Sequence, residues 1–80
     1  MVNYHNMGTN MSAIDKAIKK AGNQSALSRL IGVAQQNISY WVKNNQVPAS
    51  FVLKIEKETG ISRHELRPDL YPLEDIKQAS

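Results

Sequence analysis

Two pairs of apolar residues at helical spacing, with a glycine between them, place the strongest constraint on how this chain can fold. Leu27 and Ile31 are four residues apart, so they lie on one face of a helix. Gly32 follows directly and suits the left-handed end of that helix. Ile38 and Trp41 place a second apolar face on a second short helix. The spacing therefore predicts a helix-turn-helix.

The second helix of this pair is polar on the side opposite its apolar face. The side chains predicted there form hydrogen bonds and carry no formal charge at neutral pH: Gln35, Gln36, Ser39 and Tyr40. In a helix-turn-helix the second helix enters the major groove, and a glutamine amide can pair with both N6 and N7 of adenine. We therefore expect these four residues to read DNA bases. A polar, solvated turn is the alternative interpretation.

Residues near the ends of the two helices are expected to contact the phosphate backbone. Asn23 is a predicted N-cap, and the N–H groups at a helix start, with the Asn23 and Gln24 side chains beside them, bind phosphate well. An ordinary cap is the alternative. The other predicted phosphate contacts lie on or after the second helix: Asn37, Lys43, Asn44 and Asn45. Arg29 is interpreted equally well as a phosphate contact or as a solvated side chain.

The remaining residues of the motif are predicted to be structural. The expected helix-turn-helix core consists of Leu27, Ser28, Ile31, Gly32, Val33, Ile38 and Trp41. Ser28 and Gly32 are small where the two helices should approach most closely, so we expect a large side chain at either position to separate them. Trp41 lies one turn from Ile38, which favours packing in the core over stacking on a base.

Length and composition limit the possible functions. The chain has 80 residues, which suits one small domain, and no cysteine, which excludes cysteine-ligated zinc and cysteine catalysis. His5 and His64 are far apart and lack ligand spacing, so no metal is predicted. We predict no cofactor and no catalytic residue, because the sequence has no nucleophile–base pair and no phosphate loop. Without a membrane-length apolar run or a signal-peptide pattern, we expect no membrane association and a cytoplasmic location.

The charged residues are distributed unevenly along the chain. The net charge is +3, and residues 12–47 contain five basic side chains and one acidic side chain. Residues 68–80 contain three acidic side chains and one lysine. A basic stripe on the motif suits phosphate contact, whereas a solvated lysine face is the alternative.

Local signals predict three further helices. Ser12 is a good N-cap for a first helix that ends at Gly22. A fourth helix, with Pro48 as its first residue, is expected to cover Ala49–Thr59, although residues 51–55 also suit a strand. Ser62 is expected to cap a short fifth helix, which Pro68 stops near Arg67.

The domain organisation predicted from these elements has three parts. Residues 1–11 are expected to be a flexible lead, residues 12–68 a helix-turn-helix DNA-binding domain, and residues 69–80 a C-terminal tail. The tail has apolar residues around Pro72, and three roles remain open for it. These roles are packing on the core, forming a last helical turn, and serving a partner chain.

Residues 24–41 also fit the frame of a known family. The chain resembles the lambdoid phage repressor/Cro class, whose helix-turn-helix motif has a characteristic frame. The first, fourth, ninth, tenth, fifteenth and eighteenth positions of that frame are occupied here by Gln24, Leu27, Gly32, Val33, Ile38 and Trp41. Residues 35–38 are similar to the start of the recognition helix in phage 434-type repressors. Ser28 departs from the family pattern, which usually has alanine at this position of the motif. Residues 47–49, 59–60 and 64–72 resemble the YdaS-type branch of Cro-like regulators.

The resemblance, which covers about residues 12–72, implies an all-α, five-helix domain of a phage or prophage regulator. Such a protein binds double-stranded operator DNA, often as a homodimer, and acts as a transcriptional repressor. By this resemblance Gln24 and Lys43 hold the backbone, while Gln35, Gln36, Ser39 and Tyr40 face bases. Some members of the family are antitoxin-like, so the alternative is a protein-interaction module that neutralises a partner protein.

Overall fold

The computed structural model describes residues 11–73, and all regular elements in this part of the chain are helices. The predicted all-α, five-helix fold is therefore confirmed. The predicted lead, apart from Met11, and the end of the predicted tail lie outside the described residues. The helices are α1 (Ala13–Ala21), α2 (Gln24–Ile31), α3 (Gln35–Asn44), α4 (Ala49–Thr59) and α5 (Arg63–Leu66).

Three of these helices begin at a side chain that caps them. Ser12 Oγ accepts a hydrogen bond from the Asp15 N–H at 3.2 Å, and Asn23 Oδ1 accepts one from the Ala26 N–H at 2.8 Å. Ser62 Oγ accepts one from the His64 N–H at 3.0 Å. Each bond satisfies an N–H group that no carbonyl of the helix reaches. The three capping residues predicted from the sequence are thus confirmed.

Gly32 ends α2 because of its backbone conformation. Its φ is +75°, in the left-handed region, and its N–H donates to the Ser28 carbonyl at 2.8 Å. The prediction that a larger side chain at Gly32 would separate the helices is wrong, because a Cβ built there has no atom within 4 Å. The close position is Ser28, which is buried and whose hydroxyl donates to the Ser25 carbonyl at 2.7 Å.

One hydrophobic core joins the five helices. Ile38 on α3 is fully buried, and the Trp41 ring lies 5.4 Å from the ring of Phe51 on α4. Trp41 is therefore a core residue, as predicted, and Val33 packs half-buried against the same cluster. The buried apolar residues are Ile14, Ala17, Leu27, Ile31, Ile38, Trp41, Val47, Val52, Ile55, Ile61 and Leu66.

The fourth helix has the predicted range, Ala49–Thr59, and the strand alternative for residues 51–55 is wrong. Val52 and Ile55, three residues apart, are both fully buried, as helical spacing requires. Pro48 has an extended ψ of 143°, so it stands just before the helix and is not its first residue. None of the helices within residues 11–73 has the length and apolar character needed to cross a membrane.

The segment after α5 folds back onto the domain. Arg67 Nη1 donates to the Val47 carbonyl at 2.8 Å, which ties this segment to the loop between α3 and α4. Nδ1 of His64 lies 2.7 Å from the Tyr71 carbonyl, and Tyr71 packs against the core. Of the three roles left open for the tail, packing on the core is therefore the one that the structure shows for Tyr71. Leu73 remains largely exposed.

Candidate nucleic-acid interface

The exposed face of α3 carries all four residues predicted to read bases. Gln35, Gln36, Ser39 and Tyr40 are exposed, and 66% of the Tyr40 surface is accessible. The opposite face is held by Ile38 in the core. Because α3 is anchored in this way, its polar face is presented on a rigid support, which base recognition requires.

A hydrogen bond between α2 and α3 links two of the predicted contact residues. Ser39 Oγ donates to Gln24 Oε1 at 2.6 Å. A serine hydroxyl has one hydrogen, so Ser39 is left to act only as an acceptor toward DNA while this bond is kept. Gln24 uses its amide oxygen here, and its NH₂ group keeps two donors for other acceptors. The sequence analysis assigned both residues to DNA contact and missed their mutual bond.

The C-terminal end of α3 is shaped by two asparagines. Asn44 Nδ2 donates to the Tyr40 carbonyl at 2.9 Å, so one of its N–H donors serves its own helix. Asn45 adopts the left-handed conformation with a φ of 51°, which asparagine tolerates better than most residues. Lys43 is exposed in the last turn and forms no ion pair with any residue between 11 and 73. These three residues lie together at one end of the α3 surface.

The N-terminal ends of α2 and α3 differ in how their first turns are satisfied. Asn23 uses its amide oxygen to cap α2, which leaves its NH₂ group free to donate. Ala34 precedes α3 and has no side chain that could cap it. Asn37 is exposed within the first turn of α3. The predicted phosphate contacts at residues 23, 24 and 37 thus all keep amide donors on accessible surface.

One of the basic side chains predicted to form a stripe is engaged in an ion pair. Lys16 on α1 forms an ion pair with Glu65 on α5, so its charge is offset on that side of the domain. Arg29 is exposed, and its Nη1 donates to Ser25 Oγ at 3.0 Å. Lys19 and Lys20 are exposed near the end of α1. On α3 itself the positive charge comes from Lys43.

Arg67 is a feature of this surface that the sequence analysis did not single out. Its Nε and Nη2 donate to the two carboxylate oxygens of Asp69 at 3.0 and 2.7 Å. This hydrogen bonding holds the pKa of Asp69 below its ordinary value and raises the pKa of Arg67. Arg67 also lines a cleft of about 400 Å³ beside α3, together with Tyr40, Trp41, Asn44, Gln46 and Pro48.

The fold and this surface define a helix-turn-helix protein of the Cro class. A solved structure described as "Structure of the Cro protein from putative prophage element Xfaso 1 in Xylella fastidiosa strain Ann-1" superposes with a TM-score of 0.72. The two sequences are 46% identical, and the match covers 74% of this chain and 94% of that chain. The resemblance to Cro-like regulators drawn from residues 24–41 is therefore confirmed.

The family is defined more narrowly by two sequence matches. The family described as "Bacterial toxin YdaS" matches residues 14–74, and the chain belongs to this family. A protein of Escherichia coli (strain K12) named "Putative transcriptional regulator YdaS" is 38% identical over 58 residues, which is 69% of this chain. The match spans 59% of that relative's length.

Proposed function

We propose that this protein is a sequence-specific DNA-binding transcriptional regulator, acting as a repressor, which inserts α3 into the major groove of operator DNA. The observation that carries the proposal is the uncharged, hydrogen-bonding surface of α3, exposed on a helix whose other side is fixed in the core. The names of the two relatives, a transcriptional regulator and a prophage Cro protein, support the same class of function.

Gln35 and Gln36 are the proposed base-reading residues of the first turn. Their free amides supply a donor and an acceptor each, which matches the N6–H and N7 pattern of adenine. Tyr40, one turn later, reaches a base edge or a thymine methyl group. Ser39 accepts a hydrogen bond from a base, and by holding the amide oxygen of Gln24 it also directs the Gln24 NH₂ group outward.

The phosphate backbone is proposed to lie along the ends of the two helices. Lys43 provides the main charge, and because it has no intramolecular partner among the described residues it pays no cost of breaking an ion pair. The polar contacts proposed beside it are amide groups that keep free donors: Asn23, Gln24, Asn37, Asn44 and Asn45. Such contacts fix the register of the helix on DNA without reading sequence.

We propose that the protein binds as a homodimer. One helix-turn-helix reads only a half-site, and two-fold dimers place their recognition helices roughly 34 Å apart, one turn of DNA. Leu70 and Leu73 after α5 are exposed and are the proposed source of the dimer contact. The dimer is expected to be weak in the absence of DNA, because Leu70 and Leu73 are the only large exposed apolar side chains among the described residues after α5.

Selection of binding sites from random duplex DNA at near-physiological salt tests the proposal. An enriched palindrome with half-sites one turn apart is expected. Gln35→Ala should relax the preference at one base pair, whereas Lys43→Ala should weaken binding to all sequences and reduce the salt slope by about 0.9. Identical effects of both changes on every sequence would contradict the assigned roles. No enrichment at all would contradict sequence-specific binding.

A second candidate function is interaction with a protein partner, which the family's description as a bacterial toxin favours. The antitoxin-like role that the family resemblance implies is a related form of protein interaction. Growth after induction of the wild type and of a Gln35→Ala/Gln36→Ala variant separates the candidates. Growth arrest that persists in the variant supports a protein target, since that variant lacks the two proposed base-reading glutamines. Growth arrest that disappears with DNA binding supports action through DNA.

A further inference from the structure

The guanidinium group of Arg67 has unused hydrogen-bonding capacity in a defined position. Arginine has five N–H donors. Three of them donate within the described residues, two to Asp69 and one to the Val47 carbonyl. One donor on each terminal nitrogen is therefore left over. The Arg67 side chain is only 14% exposed, so the group is held in place.

The surroundings of Arg67 place its side chain beside the proposed DNA surface. Arg67 lines the same cleft as Tyr40, a proposed base contact, and Asn44, a proposed backbone contact. The cleft is open to solvent between the C-terminal half of α3 and the segment after α5. An arginine at this edge of the recognition helix faces the region where the sugar-phosphate backbone runs when α3 occupies the groove.

We propose that Arg67 binds a DNA phosphate in this cleft, and that the Asp69 carboxylate occupies the guanidinium when DNA is absent. The inference rests on the proposed function and extends its set of backbone contacts. Carboxylate and phosphate use the same paired N–H geometry, so a phosphate replaces Asp69 on Nε and Nη2 of Arg67. Asp69 is 61% exposed, and an ion pair with such an open partner is readily broken.

The bond to Val47 keeps Arg67 in position during this exchange. Because the Val47 carbonyl holds Nη1, the guanidinium does not need to be ordered again when Asp69 leaves. Asp69 then acts against binding in two ways, by competing for the donors and by repelling the phosphate. Removing its charge should therefore strengthen binding to DNA of any sequence.

Equilibrium binding of the full chain, measured by fluorescence anisotropy over a series of salt concentrations, tests this exchange. The probes are the selected operator duplex and a shuffled duplex of equal length. Arg67→Gln is expected to weaken binding to both and to lower the salt slope by about 0.9, the value for one phosphate contact. Asp69→Asn is expected to strengthen binding by up to about fivefold, the factor that an exposed ion pair can contribute.

Glu58→Gln provides the matched control, since it removes one exposed carboxylate of α4 that pairs with no described residue. The gain from Asp69→Asn should exceed that of the control in the wild type and should be smaller in Arg67→Gln, where only the repulsion between Asp69 and the phosphate remains to be removed. Melting followed by circular dichroism verifies that each variant folds. If Arg67→Gln does not fold, Arg67→Lys replaces it, with the salt slope kept and the Asp69→Asn gain reduced, because lysine lacks the paired N–H donors that hold the carboxylate.

Three results would overturn the inference. Equal gains from Asp69→Asn and Glu58→Gln would show that Asp69 does not occupy the donors. An unchanged salt slope in a folded Arg67→Gln variant would show that Arg67 has only a structural role in the loop. Failure of the wild type to bind either duplex would overturn the proposed function itself, and this outcome is distinct from the first two.

Discussion

Substitutions at Gly32 test whether α2 ends there because of backbone conformation or because of space. The φ of +75° costs an L-residue about 1–2 kcal/mol relative to glycine. Alanine also lowers the conformational entropy of the unfolded chain, which offsets about 0.4–1 kcal/mol of this cost. The expected net loss for Gly32→Ala is therefore about 1 kcal/mol. Because no atom lies within 4 Å of an added Cβ, Gly32→Gln should cost the same to within a few tenths of a kcal/mol.

Urea unfolding followed by circular dichroism measures these losses. Gly60→Ala is a matched control, since Gly60 ends α4 with a φ of +81° and also has open space around it. Gly32→Asn should lose less than Gly32→Ala, because asparagine tolerates the left-handed region. A loss of 1 kcal/mol corresponds to a fall in Tm of about 4–8 °C in a domain of this size. If glutamine cost at least about 1 kcal/mol more than alanine at Gly32, crowding between the helices would be the cause, and the conformational explanation would be refuted.

Two further predictions concern bonds described above. Ser39→Ala removes both the donor to Gln24 and the proposed base contact of Ser39. It should weaken binding to all DNA sequences by about 0.5–1.5 kcal/mol, the value of one hydrogen bond, and in addition relax the preference at one base pair. The urea midpoint should change little, because the bond is exposed. A loss confined to one base pair would instead assign Ser39 to base reading alone. The pKa of Asp69 in the folded protein lies below the ordinary value of 3.8. Its pairing with Arg67 therefore stabilises the fold above pH 3.8, and this stabilisation is lost as the pH falls through the folded pKa. Wild type should melt above Asp69→Asn at pH 6, and the difference should shrink as the pH is lowered; a constant difference would contradict the pairing.

The helices were predictable because their ends depend on local chemistry. Ser12, Asn23 and Ser62 act within three residues of their own position, and the left-handed conformation of Gly32 requires no knowledge of the rest of the chain. The exposure of the polar residues on α3 also follows from helical periodicity once Ile38 is assigned to the core. The fold class and the location of the candidate surface were therefore accessible from the sequence.

The bonds that join the elements were not predictable in this way. Ser39 meets Gln24 across 15 residues, Arg67 reaches the carbonyl of Val47 across 20, and Lys16 pairs with Glu65 across 49. Each pairing depends on how helices pack, which periodicity does not determine. The misinterpretation of Gly32 has the same origin, because a small residue near a helix crossing indicates close packing only if it points toward the crossing.

The position of Trp41 makes its fluorescence a probe of the proposed recognition helix. The chain contains one tryptophan, and it lies on the inner face of α3 against Phe51. The residue is 6% exposed, and it also lines the cleft beside Arg67, so its emission reflects mainly the contact between α3 and the rest of the domain. If α3 meets DNA as a rigid body, the emission maximum stays constant while the outer face becomes covered. A shift in wavelength on binding would mean either that the helix moves on its support or that DNA enters the cleft that Trp41 lines.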